Sequence, residues 1–413
     1  MHVLVAAHDF YPDPGSGGTG RYVYETTQRF ASRGHDVSVI TRRRGATPDR
    51  ETVDSVNLYR YDVTIAERSA PEILLQLPCA AGVVARHVTA ATKRGGTPEV
   101  VSYQGPVTSA LVGRAVDDAA ARVATFHSPW PTEYRIKTRG AGGLRRRLNV
   151  GLRRFVERSI LARTDEVVVL SDFMRRELRR VYGRSRDATV IPGGVDADRF
   201  TPDGRTVDRI GGDPAFLTVR RLSDRMGHEL LIEAFAAVLR ERPGARLYIA
   251  GDGPLRSRLE AVARAHGVAG ATTFLGYVPD DDLPAVYRSA DIFVLPTREL
   301  EGFGLATLEA LASGLPVVAT PVGGTVELLS GLEPRPSIPE PMLVASVDAD
   351  TVASGMLAWA DLPEEELADA ARTCRRYTSG RFTWDRTAAR LESLYDDLLS
   401  DGATSRSVDR TAP

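Results

Sequence analysis

Short apolar runs alternate with amphipathic stretches of helical period along most of the chain. This alternation predicts an α/β protein with parallel sheets covered by helices on both faces. In the first half, strands are predicted at residues 2–7, 37–41, 100–103, 123–127 and 166–171. In the second half, they are predicted at residues 215–220, 246–250, 273–276, 292–295 and 317–320. Ligands of such sheets bind beyond the carboxyl ends of the strands.

The helical pattern is clearest in the second half. One stripe carries Leu230, Leu231, Ala234, Phe235, Val238 and Leu239, and a second helix is predicted over residues 305–312. A turn-rich segment at residues 190–196 separates the halves. We therefore predict an amino-terminal domain at residues 1–193, completed by a helix at 381–400, and a second domain at 194–380. Residues 401–413 are predicted to form a flexible tail.

Composition narrows the classes of protein. A chain of 413 residues is too long for one ordinary hydrophobic core, so two or three domains are predicted. Its net charge of −1 argues against a nucleic-acid partner. Cys79 and Cys374 are too far apart in sequence to suggest a zinc site or a disulfide framework. No signal peptide or membrane-spanning run is apparent, so we predict a cytoplasmic location with at most peripheral membrane contact.

Two glutamates bracket a glycine-containing turn in the second half. Glu301 precedes Gly302-Phe303-Gly304, and Glu309 lies one turn inside the helix predicted to begin at Leu305. A helix N-terminus presents free N–H groups and favours an anion. The pair can therefore bracket a ligand with a central phosphate, which is the layout of a nucleotide sugar. An amphipathic helix with a solvated Glu309 is the simpler alternative.

The surrounding sequence resembles a known family. Residues 301–309, followed by 312–320 and by Gly323-Gly324 ahead of Glu327, resemble the donor site of the family-four retaining glycosyltransferases. The resemblance implies a GT-B fold, in which two Rossmann-like domains face each other across a cleft and a C-terminal helix crosses back to the first domain. It implies that Glu301 contacts the donor sugar, that Glu309 holds the ribose hydroxyls, and that Gly302, Phe303, Gly304 and Leu305 line the donor site.

An arginine-rich loop follows the first strand of the second half. Arg221 stands at the Arg position of the family's Gly-Arg-Leu…Lys-Gly segment, whose two cations neutralise the diphosphate, but Met226 stands at the Lys position. Loss of a buried, unreplaced cation would cost roughly 2–5 kcal/mol. Arg225 and Arg220 are both candidates to replace it, because a guanidinium can bind two phosphate oxygens.

The first half contains a glycine loop with two interpretations. Residues 15–20 match the dinucleotide fingerprint, and Arg42, Arg43 and Arg44 follow the second strand, which favours an NADPH-dependent oxidoreductase. The fingerprint, however, requires the glycine turn to begin at the strand end. Here Pro12 and Pro14 lie between the predicted strand, which ends at residue 7, and Gly15. The loop also resembles the glycine loop of the glycosyltransferase family, in which Gly17 and Gly18 face the donor diphosphate.

Two further positions take a role from the resemblance. His127, predicted at a strand end, matches the family's first-domain histidine near the donor sugar, and Val278 matches a backbone contact to the nucleotide base. A capped surface histidine and a simple connecting turn are the ordinary alternatives.

The strongest charge asymmetry lies between Arg135 and Arg163, where ten basic residues are opposed by Glu157 alone. Leu144, Leu148, Leu152, Phe155 and Val156 form a helical stripe among these charges. The pattern predicts contact with an anionic membrane surface or a lipid-linked acceptor, or else a solvated helix whose apolar stripe packs on the sheet.

Together these features predict a retaining glycosyltransferase that moves a sugar from a nucleoside diphosphate to the hydroxyl of a glycan, lipid-linked sugar or small molecule. We predict no metal and no cofactor. Glu301, His127 and Arg221 are the predicted catalytic residues. A sugar-nucleotide epimerase, a phosphorylase, a non-catalytic sugar-nucleotide sensor and the NADPH oxidoreductase remain alternatives.

Overall fold

The computed structural model describes residues 1–63, 70–116, 120–140, 142–183, 188–332 and 336–409. The chain divides into two compact units. The first unit is formed by Met1–Pro192 together with the chain from Trp384 onward, and the second by Gly193–Thr383.

The first unit is built on an eight-stranded sheet. Its strands are β1 (His2–Ala6), β2 (Asp36–Arg42), β3 (Arg50–Val53), β4 (Val56–Tyr61), β5 (Val100–Tyr103), β6 (Ala121–Phe126), β7 (Glu166–Val169) and β8 (Thr189–Val190). The spatial order is β3-β4-β2-β1-β5-β6-β7-β8, and β3 alone among these strands runs antiparallel to its neighbour. Central strands such as β1 and β5 are buried along their whole length, as expected for parallel strands covered on both faces.

Six helices connect these strands: α1 (Gly18–Ser32), α2 (Ala70–Gly95), α3 (Pro106–Val112), α4 (Trp130–Lys137), α5 (Leu144–Leu161) and α6 (Asp172–Tyr182). The limits of α6 follow from its end residues. The Ser171 side chain accepts a hydrogen bond from the Met174 N–H, and Gly183 ends the helix in the left-handed conformation.

The second unit has a five-stranded, fully parallel sheet. Its strands are β9 (Ala215–Val219), β10 (Arg246–Ala250), β11 (Thr272–Gly276), β12 (Ile292–Leu295) and β13 (Val317–Ala319), in the order β11-β10-β9-β12-β13. Its helices are α7 (His228–Glu241), α8 (Arg256–Ala265), α9 (Leu283–Arg288), α10 (Leu305–Ala312), α11 (Gly324–Ser330), α12 (Ala349–Ala360) and α13 (Glu364–Arg381).

The last helix, α14 (Trp384–Asp409), packs on α1 of the first unit. Trp384 meets Tyr22 with ring centroids 5.9 Å apart, and Tyr395 meets Phe30 at 5.7 Å. The helix extends to Asp409, beyond the predicted end at residue 400. Residues 410–413 of the predicted tail lie outside the described residues.

The sequence pattern missed three strands, β3, β4 and β8. In β4 every residue is buried, including Asn57 and Arg60, so polar side chains interrupt the apolar run by which a buried strand is recognised. β8 has only two residues. Seven of the ten predicted strands differ from the observed ones by one or two residues at one or both ends, because hydrogen bonding, and not hydrophobicity, sets a strand's last residue.

Candidate functional site

The carboxyl ends of all five strands in the second unit lie at one edge of its sheet. The loop after β9 carries the arginines, the turn after β10 is Gly251-Asp252-Gly253, and the turn after β11 contains Val278. The loop after β12 carries Glu301, and β13 leads to Gly323. In open α/β sheets this edge is the usual ligand site. The parallel topology therefore collects the motifs of the second half at one place.

Glu301 is held by a buried cation. Its carboxylate forms an ion pair with Arg220, and Thr297 Oγ1 lies 3.4 Å from Glu301 Oε2. Burial alone would raise the pKa of Glu301, but the charge and hydrogen bond of Arg220, aided by Arg225 and Thr297, hold that pKa below its ordinary value. Glu301 is therefore an ionised hydrogen-bond acceptor at neutral pH.

Close backbone packing fixes the Glu301 loop. The Gly324 N–H donates to the Glu301 carbonyl at 2.9 Å, and a Cβ on Gly323 would lie 2.1 Å from that oxygen. On the other side, a Cβ on Gly227 would lie 1.7 Å from the Pro296 carbonyl oxygen. Leu300 has a φ of 56°, an uncommon conformation for a residue with a side chain. The loop is thus clamped between two glycine segments.

The N-terminus of α10 begins immediately beyond this loop. Gly304 caps the helix with a φ of 104°, and its carbonyl accepts the N–H groups of Thr307 and Leu308. Helical geometry leaves the N–H groups of Leu305 and Ala306 without an intrahelical acceptor, which suits an anion. Phe303 is buried, with its ring centroid 6.0 Å from that of Phe382. Its side chain is thus part of the core.

Glu309 lies on α10, half-buried. Its Oε2 accepts a hydrogen bond of 2.9 Å from the Tyr287 hydroxyl. Burial, followed by the Glu309 charge, raises the pKa of Tyr287 well above its ordinary value, so this tyrosine remains a donor. Tyr287 orients one oxygen of Glu309.

The three arginines after β9 have different surroundings. Arg220 is buried against Glu301 and Thr297, whereas Arg225 Nη1 donates to the Leu300 carbonyl at 2.6 Å. Arg221 is exposed, and its guanidinium pairs with no group in the described part of the chain. Met226 is buried. The cation that enters the Glu301 cluster is therefore Arg220, and Arg221 is the one of the three with no partner in the described part of the chain.

Val278 lies in the turn after β11, an edge strand of the sheet. Its side chain is half-buried, while the neighbouring Tyr277 is 73% exposed. The turn lies at the carboxyl end of the sheet, as the Glu301 loop does, and is partly exposed.

In the first unit, the glycine loop ends at a helix N-terminus. Gly17 caps α1 and Gly18 is its first residue, so the helix begins within the predicted glycine loop. Two carboxylates anchor the loop. Asp9 accepts hydrogen bonds from Arg42 and Arg44, and Asp13 forms a buried ion pair with Arg60 at 2.7 Å.

These contacts count against the dinucleotide alternative. Residues 7–17 separate β1 from α1, whereas the fingerprint places its turn at the strand end. Arg42 and Arg44 are bound to Asp9, and Arg43 forms ion pairs with Asp49 and Asp62. None of the three is left as an unpaired cation for a 2′-phosphate.

His127 directly follows β6, at the carboxyl edge of the first unit's sheet. Its Nε2 lies 2.8 Å from Gln104 Oε1, and its ring centroid lies 5.0 Å from that of Tyr22. Burial lowers the pKa of His127 to about 4. The imidazole is therefore neutral at physiological pH and suited to hydrogen bonding.

His228 lies at the carboxyl edge of the second unit's sheet, and the sequence did not single it out. It is the first residue of α7, is 2% exposed, and lies close enough to Arg220 for that charge to affect its pKa. Its position immediately after the arginine loop and at a helix start was the available signal.

The described residues contain neither a helix suited to spanning a membrane nor a cluster suited to a metal ion. None of the described helices is both long and apolar enough to span a bilayer. Within the same residues, no group of three or more His, Cys, Asp or Glu side chains is arranged to hold a metal ion.

Comparison with known proteins assigns both halves. Residues 16–199 match the model described as Glycosyltransferase Family 4, and residues 205–372 match Glycosyl transferases group 1. A GDP-mannose-dependent alpha-(1-6)-phosphatidylinositol monomannoside mannosyltransferase of Mycobacterium tuberculosis is 33% identical over 270 residues, covering 60% of this chain and 66% of that protein. The chain thus spans somewhat less than two thirds of this relative's length.

Two other similarities extend over nearly the whole chain. A D-inositol 3-phosphate glycosyltransferase of Geodermatophilus obscurus is 29% identical, covering 96% of this chain and 88% of that protein. The structure of sucrose-phosphate synthase from Thermosynechococcus elongatus superposes with a TM-score of 0.76 and 22% identity. The match covers 97% of this chain and 99% of the synthase chain. This likeness confirms the predicted GT-B fold class. With family models matching in both halves, the chain belongs to the family-four, group 1 glycosyltransferases.

Proposed function

We propose that the protein is a retaining, metal-independent glycosyltransferase that uses a nucleoside-diphosphate sugar. The observation that carries this proposal is the cluster at the carboxyl edge of the second unit's sheet. There an ionised Glu301, an available Arg221 and the N-terminus of α10 follow the ends of neighbouring strands. A carboxylate suits sugar hydroxyls, and a cation with a helix N-terminus suits a diphosphate.

Each residue has a proposed part in the transfer. Glu301 orients the donor sugar, Glu309 accepts hydrogen bonds from the ribose, and Val278 contacts the base through its backbone. Arg221, Arg225 and the N–H groups at Gly304 and Leu305 stabilise the negative charge that develops on the departing diphosphate. Such preorganised electrostatic stabilisation is a large contribution to catalysis in many enzymes.

The first unit is proposed to serve the acceptor. His127 is a neutral hydrogen-bonding group for the reacting sugar, and the N-terminus of α1 at Gly17 and Gly18 is a second site for negative charge. We assign no side-chain nucleophile. Retention is proposed to follow from the leaving phosphate accepting the proton of the acceptor hydroxyl on the same face of the sugar.

Turnover of candidate donors tests this function. GDP-mannose comes first, because the mannosyltransferase relative is GDP-mannose-dependent. UDP-glucose and ADP-glucose follow. With a panel of glycan, inositol and lipid-linked acceptors in EDTA, we expect release of one nucleoside diphosphate and an α-linked product. An inverted product, or transfer abolished by EDTA, would contradict the proposed mechanism. Hydride transfer from NADPH would contradict the function.

A second partner is proposed for the first unit, namely an anionic membrane surface that binds α5. Leu144, Leu148 and Phe155 are 72%, 62% and 69% exposed, whereas Asn149 and Glu157 are buried. For these three apolar residues, the alternative of a stripe packed on the sheet is wrong. Leu152 and Val156 are half-buried.

The charges on the same helix favour an anionic lipid. Arg145, Arg147, Arg154 and Arg158 are exposed beside the apolar stripe. A basic amphipathic helix lies in the interface with its apolar side chains among the acyl chains and its cations at the head groups. The acceptor of the transfer is then proposed to be lipid-linked, and the location to be the cytoplasmic membrane face.

Vesicle sedimentation tests this surface. The protein is expected to sediment with phosphatidylcholine vesicles containing phosphatidylglycerol, and to be released by salt. A double variant that reverses two charges, Arg145→Glu with Arg147→Glu, should bind these vesicles more than tenfold more weakly, since each cation near the surface contributes about 1 kcal/mol. The matched control reverses two exposed arginines of the second unit, Arg240→Glu and Arg264→Glu. Equal binding by both double variants would contradict the assignment to α5.

A further inference from the structure

His228 is a buried histidine without a hydrogen-bond partner. It is 2% exposed, and neither Nδ1 nor Nε2 has a partner within the part of the chain that the structure describes. Burying a polar group without a partner costs free energy, and exceptions in native proteins often mark a ligand site.

Its surroundings define the kind of partner. His228 begins α7, a helix of 14 residues, and follows Gly227, which packs against the Pro296 carbonyl of the Glu301 loop. Arg220, the ion-pair partner of Glu301, is the charged group that acts on the ring. A helix N-terminus and a guanidinium together favour an anionic oxygen and disfavour a cation.

Burial, followed by the charge of Arg220, lowers the pKa of His228 to about 3. The ring is therefore neutral and carries one N–H donor and one acceptor nitrogen.

We propose that His228 donates a hydrogen bond to a phosphate oxygen of the bound nucleoside diphosphate, together with Arg220 and the N-terminus of α7. The inference rests on the proposed donor site and adds a phosphate contact on the β9 side of Glu301. His228 then compensates in part for the buried Met226, because it adds a phosphate donor to the same loop without adding a charge.

Affinity measurements test the contact. UDP, GDP and ADP are titrated into the wild type, and the tightest binder is compared with its monophosphate in His228→Gln and His228→Phe. A hydrogen bond to a charged group predicts a loss of about tenfold or more for the diphosphate in His228→Phe, and a smaller loss for the monophosphate. The matched control is His266→Gln, because His266 is exposed in the same unit.

The outcomes separate this inference from the donor site itself. If the wild type binds none of the three diphosphates, the donor site is wrong and this inference with it. If the wild type binds one and His228→Phe binds it equally well, only the His228 contact is wrong. Equal losses for the diphosphate and its monophosphate would also contradict the proposed contact.

A second measurement does not depend on how the His228 variants fold. In wild-type protein labelled with ¹⁵N-histidine, the His228 imidazole signal is the one retained when each of the other six histidines is replaced singly by Gln, and it is followed during titration with the diphosphate. The contact predicts that an N–H resonance of this ring shifts at saturation. Unchanged resonances for that ring would overturn the proposal.

Discussion

The carboxyl edges of the two sheets differ in their chemistry. In the first unit, Asp9 and Asp13 are bound to arginines of β2, β4 and the loop after β2, so the charge is neutralised internally. In the second unit, Arg220 neutralises Glu301, but Arg221 and His228 have no partner among the described residues. Charges that are paired within a unit fix the conformation of a loop. Donors without a protein partner at the carboxyl ends of the strands indicate a ligand site.

The sharpest way to break this comparison is Glu301→Gln. The variant keeps the shape of the side chain but removes the charge that orients the sugar, and it leaves Arg220 buried without its counterion. We expect turnover to fall roughly 10²–10³-fold, in the range seen for removal of one electrostatic group from an active site. Steady-state kinetics with the preferred donor measures it, and nucleoside diphosphate affinity should change little.

Glu309→Gln is the matched variant on α10, the helix that follows the Glu301 loop. It is expected to weaken nucleoside diphosphate binding about tenfold, with a smaller effect on turnover at saturation, because Glu309 is assigned to the ribose. Equal losses of bare-nucleotide affinity in both variants would show that the two glutamates do not have separate roles.

In the first unit, Asp13→Asn tests whether a neutralised charge is structural. Asp13 and Arg60 side chains are 3% and 1% exposed, and breaking such a buried pair costs about 3 kcal/mol. We expect the Tm to fall by roughly 6–12 °C in calorimetry. Asp49→Asn is the control, because Asp49 pairs with Arg43 at an exposed position and should cost less than about 1 kcal/mol. A stable Asp13→Asn protein would remove the distinction between the two edges.

A smaller effect is expected from the pH dependence of His127. Its pKa is lowered from 6.5 to about 4 in the folded chain, so the unfolded chain binds the proton first as the pH falls. The stabilisation is therefore complete above pH 6.5 and is lost between pH 6.5 and 4. In His127→Gln, the fall of Tm over this window should be shallower than in the wild type. An unchanged slope would place the buried neutral imidazole in doubt, and His266→Gln serves as the control.

The sequence predicted those features that depend on local pattern. α10 begins at Leu305 and ends at Ala312 as predicted, because its apolar face, its preceding glycine and the following Gly314 are adjacent in sequence. Fold class also followed from alternating strands and helices, and from motifs with several fixed residues.

What the sequence left open depends on contacts between distant residues. Arg220 and Arg225 were equivalent candidates in sequence, and only packing shows that Arg220 reaches Glu301, 81 positions away, while Arg225 binds a carbonyl. His228 carries no motif of its own, since its role depends on burial beside Arg220. The apolar stripe of α5 had two interpretations, because periodicity does not tell which face of a helix is buried.

The central claim is that the carboxyl edge of the second sheet binds a nucleoside diphosphate. It is tested most directly by a thermal-shift series with UDP, GDP, ADP and NADPH, run on the wild type and on Glu309→Gln. At a hundred times its dissociation constant, a ligand adds about 2.7 kcal/mol and raises the Tm by several degrees. We predict a shift with one nucleoside diphosphate that is reduced in Glu309→Gln. A shift with NADPH alone, unchanged in Glu309→Gln, would contradict the claim.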